Sequence, residues 1–167
     1  SNVGGVVGQA GPSSTIISCY NTGFVSGSNS DVGGVVGHAG PSSTIISCYN
    51  TGNVTGGGTV GGVAGDAYAR TSTITNCYNT GSVSGSYDIG GVVGDTSDNP
   101  TITNCYNTGT VTGSGERVGG IVGDVDTFST ITNCYNTGSV TGSGDSVGGV
   151  AGRDYSSAIT NCYYGGN

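Results

Sequence analysis

The sequence predicts an all-β fold: a parallel β-solenoid, or β-helix, of six coils of about 29 residues, with three short strands per coil. Three observations predict it. One unit recurs along the whole chain, each unit holds short β-type segments between turn residues, and no segment spaces its apolar residues at the helical period. The run Val3-Gly4-Gly5-Val6-Val7-Gly8 opens the unit and recurs from Val32, Val60, Ile89, Val118 and Val147, at steps of 29, 28, 29, 29 and 29 residues. A unit this poor in apolar side chains buries no core alone, whereas stacked on its copies it buries a continuous one. Equivalent strands then pair in parallel about 4.8 Å apart, and six coils span roughly 29 Å. The whole of 1–167 reads as one such repeat domain, a segment of a longer protein or fibre.

Each element of the unit has its own justification. The Val-Gly-Gly-Val-Val-Gly run combines strand-forming valines with glycines that permit tight corners and close backbone approach. The next segment, Thr-Ile-Thr-Asn-Cys-Tyr in its commonest form, carries an inward ladder of Ile16, Ile45, Ile74, Ile102, Ile131 and Ile159. It runs into Cys19-Tyr20-Asn21-Thr22-Gly23, repeated from Cys48, Cys77, Cys105 and Cys134 and altered in the last unit to Cys162-Tyr163-Tyr164-Gly165-Gly166. Asparagines at these corners tolerate left-handed backbone and can hydrogen-bond to their copies one coil away. The third segment is Val25-Ser26-Gly27, echoed from Val54, Val83, Val111 and Val140. An antiparallel sandwich could use the same strands, but it has no need of the same letters every 29 residues.

Composition narrows the function classes. The chain has 36 glycines, three arginines, no lysine, ten acidic residues and a net charge of −7. Nucleic-acid binding is excluded, because phosphate neutralisation needs clustered basic residues. No apolar run reaches the 18 residues of a membrane-spanning helix. A helical bundle is excluded as well, because glycine and β-branched residues occupy the places of good helix formers. Low charge suits a stack in which any repeated charge faces its own copy.

Gly33-Gly34-Val35-Val36-Gly37, followed by Ile-x-x-Cys-Tyr-Asn-Thr-Gly-x-Val-x-Gly from Ile45, resembles the GLUG-motif repeat. That repeat occurs in large bacterial surface and secreted proteins, including adhesin-like proteins and non-catalytic regions of IgA-cleaving metalloendopeptidases. The resemblance covers all six units, with Val or Ile standing in place of the motif's usual Leu. It implies an extracellular or cell-surface repeat architecture and brings no catalytic residue with it.

Four columns are candidate functional features. Cys19, Cys48, Cys77, Cys105, Cys134 and Cys162 contribute one thiol per coil. They read as a structural ladder of small buried hydrophobes, with neighbour disulfides and metal binding as the alternatives. Tyr20, Tyr49, Tyr78, Tyr106, Tyr135 and Tyr163 form either an outward aromatic stripe for sugars or filaments, or an inward cap on the bore. Thr73, Thr75, Thr101, Thr103, Thr130 and Thr132 flank inward isoleucines and share the outer face. They resemble the flat arrays of ice-binding solenoids, although β-propensity alone accounts for exposed threonine. The array is interrupted at Ile17, Ile46 and Ala158. Asp66, Asp95 and Asp124 follow the glycine block in the column Gln9, His38, Asp66, Asp95, Asp124, Arg153. They are a candidate Ca²⁺ surface, against the plainer reading of solvated turn carboxylates, and no other cofactor is expected.

With one histidine and no repeated nucleophile–base pair, the sequence predicts no enzyme. The leading expectation is a structural and adhesive repeat, a rigid stalk or self-stacking fibre unit, outside the cell. Its partners are a second copy end to end, neighbouring repeats of the same chain, or a surface glycan. The alternative is a solenoid that binds ice or glycan through the threonine or tyrosine face.

Overall fold

The computed structural model of the protein describes residues 1–28, 31–68 and 71–166. All of its regular structure is β-strand, and every strand pairing is parallel between one repeat and the next. The chain winds as a parallel β-solenoid. The first five coils each contribute to five sheets and the last to four, so four sheets hold six strands and one holds five. The first sheet stacks the Val3–Gly4 strand on Val32–Gly33 and its successors, the second starts at Val7–Ala10, and the third at Thr15–Ile17. The fourth starts at Tyr20–Asn21 and the fifth, of five strands, at Val25–Gly27.

Five strands per coil replace the three expected because two of the sequence segments are bent. The Val-Gly-Gly-Val-Val-Gly run turns at its second glycine, which separates Val60–Gly61 from Ala64–Tyr68. The Thr-Ile-Thr-Asn-Cys-Tyr run turns at the residue before cysteine, where Ser18, Ser47, Asn76, Asn104, Asn133 and Asn161 all have φ between 51° and 55°. Serine and asparagine take the left-handed region at modest cost, and Asn most readily. No described glycine has a positive φ. The glycine excess therefore answers a need for space rather than for unusual backbone conformation. A Cβ on Gly90 would overlap the Val93 carbonyl oxygen, and one on Gly91 would overlap the Gly120 carbonyl oxygen of the next coil.

Two apolar stacks run the length of the rod. The larger holds Val35, Val36, Ile45, Cys48 and their equivalents, with Ile74, Ile102 and Ile131 fully buried. The smaller holds Val25, Val32, Val54, Val60, Val83, Ile89, Val111 and Val118. A second asparagine column, Asn50, Asn79, Asn107 and Asn136, is fully buried. Asn21 Nδ2 donates to Asn50 Oδ1, Asn50 to Asn79, Asn79 to Asn107 and Asn107 to Asn136, each at 2.8 Å. Each amide nitrogen also donates to the carbonyl two residues on, as Asn107 does to Gly109 at 2.8 Å. The amide leaves no room for a side chain opposite, since a Cβ on Gly91 would also lie 2.6 Å from Asn107 Cγ. Gly-Gly and Asn are thus one device written in two places in the repeat.

Asn107→Ala strips hydrogen bonds from Asn79, Asn136 and both backbone groups of Gly109. The expected loss is on the order of 3 kcal/mol in urea unfolding, because the partners stay buried and unpaired. A loss below about 1 kcal/mol would contradict the ladder's role.

Candidate functional site

Parallel pairing in register places each repeated side chain directly over its copy, so candidate sites on this molecule are columns. The tyrosine column is set by the short fourth-sheet strands, Tyr20–Asn21 through Tyr163–Tyr164, where asparagine points in and tyrosine therefore points out. Five consecutive rings, Tyr20, Tyr49, Tyr78, Tyr106 and Tyr135, stack with centroids 4.8–5.1 Å apart and planes within 6°. The pairing continues to Tyr163. Rings arranged this way cover one another's faces and offer solvent their edges. Partial burial, with Tyr78 and Tyr135 on either side, pushes the Tyr106 phenol up from its ordinary value.

Thr73, Thr101 and Thr130 lie in register, as do Thr75, Thr103 and Thr132, all flanking the buried isoleucines of the third sheet. Thr132 Oγ1 lies 2.9 Å from Thr160 Oγ1. The cysteines occupy the corner between the third and fourth sheets. Cys48, Cys77, Cys105 and Cys134 are buried, Cys19 and Cys162 are half-buried, and all six thiols are free. Each thiol points at backbone carbonyls, as Cys48 does at Ile46 (3.3 Å) and at Ile16 of the preceding coil (3.5 Å). The shifts alternate along the column: hydrogen bonding to Cys77, and then burial, push the Cys48 thiol up, and Cys134, Cys77 and burial do the same at Cys105, whereas hydrogen bonds from Cys105 and Cys48 lower Cys77 and one from Cys105 lowers Cys134. What the four central thiols share is burial, which keeps reagents in solution from reaching them.

The carboxylate column is richer than the sequence reading of Asp66, Asp95 and Asp124. Those three are in register on the second sheet, with His38 below Asp66 and Arg153 above Asp124. A parallel column from the start of the first-sheet strands joins them and supplies Asp31, Asp88 and Arg117. Asp124 is held by two guanidinium groups: Arg117 Nη1 at 2.9 Å and Arg153 Nε at 2.8 Å. Arg117 Nη1 also donates to Asp88 Oδ1 at 3.0 Å. At the other end His38 Nδ1 lies 3.1 Å from Asp66 Oδ2 and 3.3 Å from Asp31 Oδ2. Asp95 sits between the two groups. Burial pushes its carboxyl up to about 7, with Asp66, Asp124 and Asp88 adding to the shift. Burial and then Asp31 raise Asp66 to about 7, and burial, partly offset by Arg117, raises Asp88 to about 6. Asp31, Asp88 and Arg117 escaped the sequence reading, although a signal for them exists. They all precede the apolar residue that opens the repeat, and that column reads Asn2, Asp31, Thr59, Asp88, Arg117, Ser146.

These columns belong to a coil whose length is the unit of a known motif. The family model for the GLUG motif matches residues 28–55, 85–112 and 114–141, together just over half of the chain, and each match spans one coil. The chain belongs to the GLUG-motif family. No curated protein and no solved structure matches it. Among the described residues no helix is long and apolar enough to cross a membrane. As a GLUG-repeat solenoid the chain is a repeat structural domain, and its columns are what distinguish one face from another.

The raised carboxyls make stability pH-dependent with a definite sign. In the folded state Asp66, Asp95 and Asp88 hold protons that the unfolded chain releases near its ordinary value of 3.8. Their contribution is therefore full below about pH 4 and is lost as pH rises through about 7. Asp95→Asn is expected to raise Tm at pH 8 and to leave it nearly unchanged at pH 5. An equal shift at both values would rule out charge crowding as the cause. For the thiols, iodoacetamide on native protein should label Cys19 and Cys162 first and reach the central four only on unfolding. Quantitative mass spectrometry checks this, and uniform labelling in the native state would contradict the buried ladder.

Proposed function

We propose that this GLUG-repeat solenoid is a structural and adhesive region of a bacterial extracellular protein, one repeat domain in a longer stalk or in a fibre that stacks on itself. The observation that carries the proposal is the in-register stacking, in which four ladders run side by side through all six coils and a fifth through the first five. Such a rod resists bending and shear, because all five sheets must open together for one coil to leave its neighbour. A further coil, from the same chain or from a second copy, extends every ladder without new chemistry. The stacked tyrosines serve this role best. Sugars are gripped by exposed ring faces, whereas these rings spend their faces on one another, so the stripe works as an external brace between coils and as a row of phenols. No reaction is assigned to the chain.

A second reading, ligand binding by a flat face, is favoured by the register of the six threonines over three coils. Neighbours within a strand lie about 6.7 Å apart and neighbours between coils about 4.8 Å apart. Ice or glycan is the ligand class that such a lattice fits.

Negative-stain microscopy of the purified chain is expected to show rods or filaments, with an axial repeat near 4.8 Å in fibre diffraction. Compact round particles would overturn the stalk reading. Tyr78→Ala is expected to lower Tm without changing binding on a glycan array. Loss of glycan binding with unchanged Tm would transfer the function to the second reading.

A further inference from the structure

One end of the carboxylate column differs from the rest. At the Arg117 end, positive charge is supplied by side chains that donate several hydrogen bonds each. At the other end two carboxylates, Asp31 and Asp66, converge on one imidazole nitrogen. A ring nitrogen carries at most one hydrogen, so it cannot satisfy both oxygens in full. Asp66 Oδ1, moreover, is buried from solvent and has no hydrogen-bond partner among the described residues, a costly condition once the carboxyl is ionised. The donor atoms of Asp31, His38 and Asp66 all lie within 4.8 Å of one another. The spacings from Nδ1, 3.1 and 3.3 Å, are those of adjacent ligands around a small divalent ion. Ligands about 2.0–2.2 Å from a metal at tetrahedral or octahedral angles stand roughly 2.8–3.6 Å from each other.

We propose that Asp31, His38 and Asp66 form a binding site for a first-row divalent transition metal of the Zn²⁺ type. The donor set selects the ion. One imidazole with two carboxylates suits borderline ions, whereas Ca²⁺ prefers oxygen alone and soft ions prefer sulfur. The ion takes the place of the single hydrogen at Nδ1, gives Asp31 and Asp66 a shared positive partner, and leaves remaining positions to water on the open side. Two ligands stand on fixed points of the second sheet, His38 on Val36–Ala39 and Asp66 on Ala64–Tyr68, so the pair is preorganised by backbone pairing. Asp31 leads directly into the coil that holds His38, and Asp66 lies in the next coil, so the bound ion bolts neighbouring coils together. The Tyr68 ring, with its centroid 6.1 Å from that of His38, flanks the imidazole. The inference is independent of the adhesive reading, and it differs from a Ca²⁺ surface on Asp66, Asp95 and Asp124, since Asp124 is taken up by arginines.

His38 is the chain's one histidine, so its ring nitrogens give a single, assignable pair of ¹⁵N signals. Titration of the full chain with Zn²⁺ is expected to move the Nδ1 signal to its metal-bound position at one equivalent and to raise Tm. Ca²⁺ at the same concentration is expected to do neither. His38→Gln, which installs the residue that the first coil carries at Gln9, is expected to fold and to weaken Zn²⁺ binding at least 10-fold. Asp66→Asn is expected to weaken binding similarly while leaving the imidazole signals intact without metal. Zn²⁺ that binds without moving the His38 signals, or equally well to the His38→Gln chain, is bound at the thiols and overturns the proposal. An imidazole that stays doubly protonated and unmoved by Zn²⁺ at neutral pH overturns it too, and leaves a bridging salt bridge in its place.

Discussion

Backbone hydrogen bonds between successive coils set the terms for every side chain on this molecule. Val6 N–H donates to the Val35 carbonyl at 3.0 Å, Val35 to Val63 at 2.9 Å, Val63 to Val92 at 2.9 Å, and the ladders of the other sheets run beside this one. A parallel ladder admits no offset here, since a slip of one residue would turn the buried isoleucines to solvent. Each side chain is therefore held about 4.8 Å from its own copy. Residue types prosper in such a column according to how they interact with themselves. Isoleucine and cysteine pack, asparagine donates to and accepts from its copy, tyrosine stacks, and aspartate repels.

Most of the architecture follows from that rule and was legible in the letters. The period, the parallel stacking, the inward isoleucines and the packed cysteines all derive from a 28- or 29-residue repeat with β-branched residues at fixed places. Other features depend on where the chain bends, and bends are not periodic signals. The expectation of three strands per coil failed at Gly62 and at Asn76, where the path turns within a run that reads as continuous. The asparagines show the same difficulty. Asn76 and Asn79 lie three residues apart in one unit, yet the first supplies a left-handed corner and the second a buried amide ladder. Their spacing to the bend distinguishes them, not their identity. The facing of the tyrosines was undecidable for the same reason, because the turn before Cys77 resets the alternation that would have placed Tyr78.

The candidate sites were partly legible. Asp66, Asp95 and Asp124 stand out in a single column, but Asp31, Asp88 and Arg117 come from another, and only the cross-section of the coil brings the two columns together. Reading one column at a time conceals every contact between columns. It conceals the pairing of Arg117 with Asp88 and Asp124, and the approach of Asp31 to His38.

Repetition also separates support from specialisation. A residue that recurs in every coil is answerable to its copies, and its chemistry is consumed in holding the stack: the asparagine amide by the next amide, the tyrosine face by the next ring. Only where the letters change does a side chain escape its own copy. The second-sheet column changes three times over six coils, from Gln9 through His38 to the aspartates and then Arg153, while the isoleucine column beside it does not change at all. This variable column and the neighbouring one that holds Asp88 are also where buried acidic groups are concentrated, at a cost the apolar columns do not bear. In the upper coils arginine offsets that cost internally. Around Asp66 no arginine does so among the described residues, and one carboxylate oxygen is left without a partner. Among the described residues a rod of self-satisfied columns thus carries a seam that is not self-satisfied, and that seam is where interaction with something outside the chain is physically favoured.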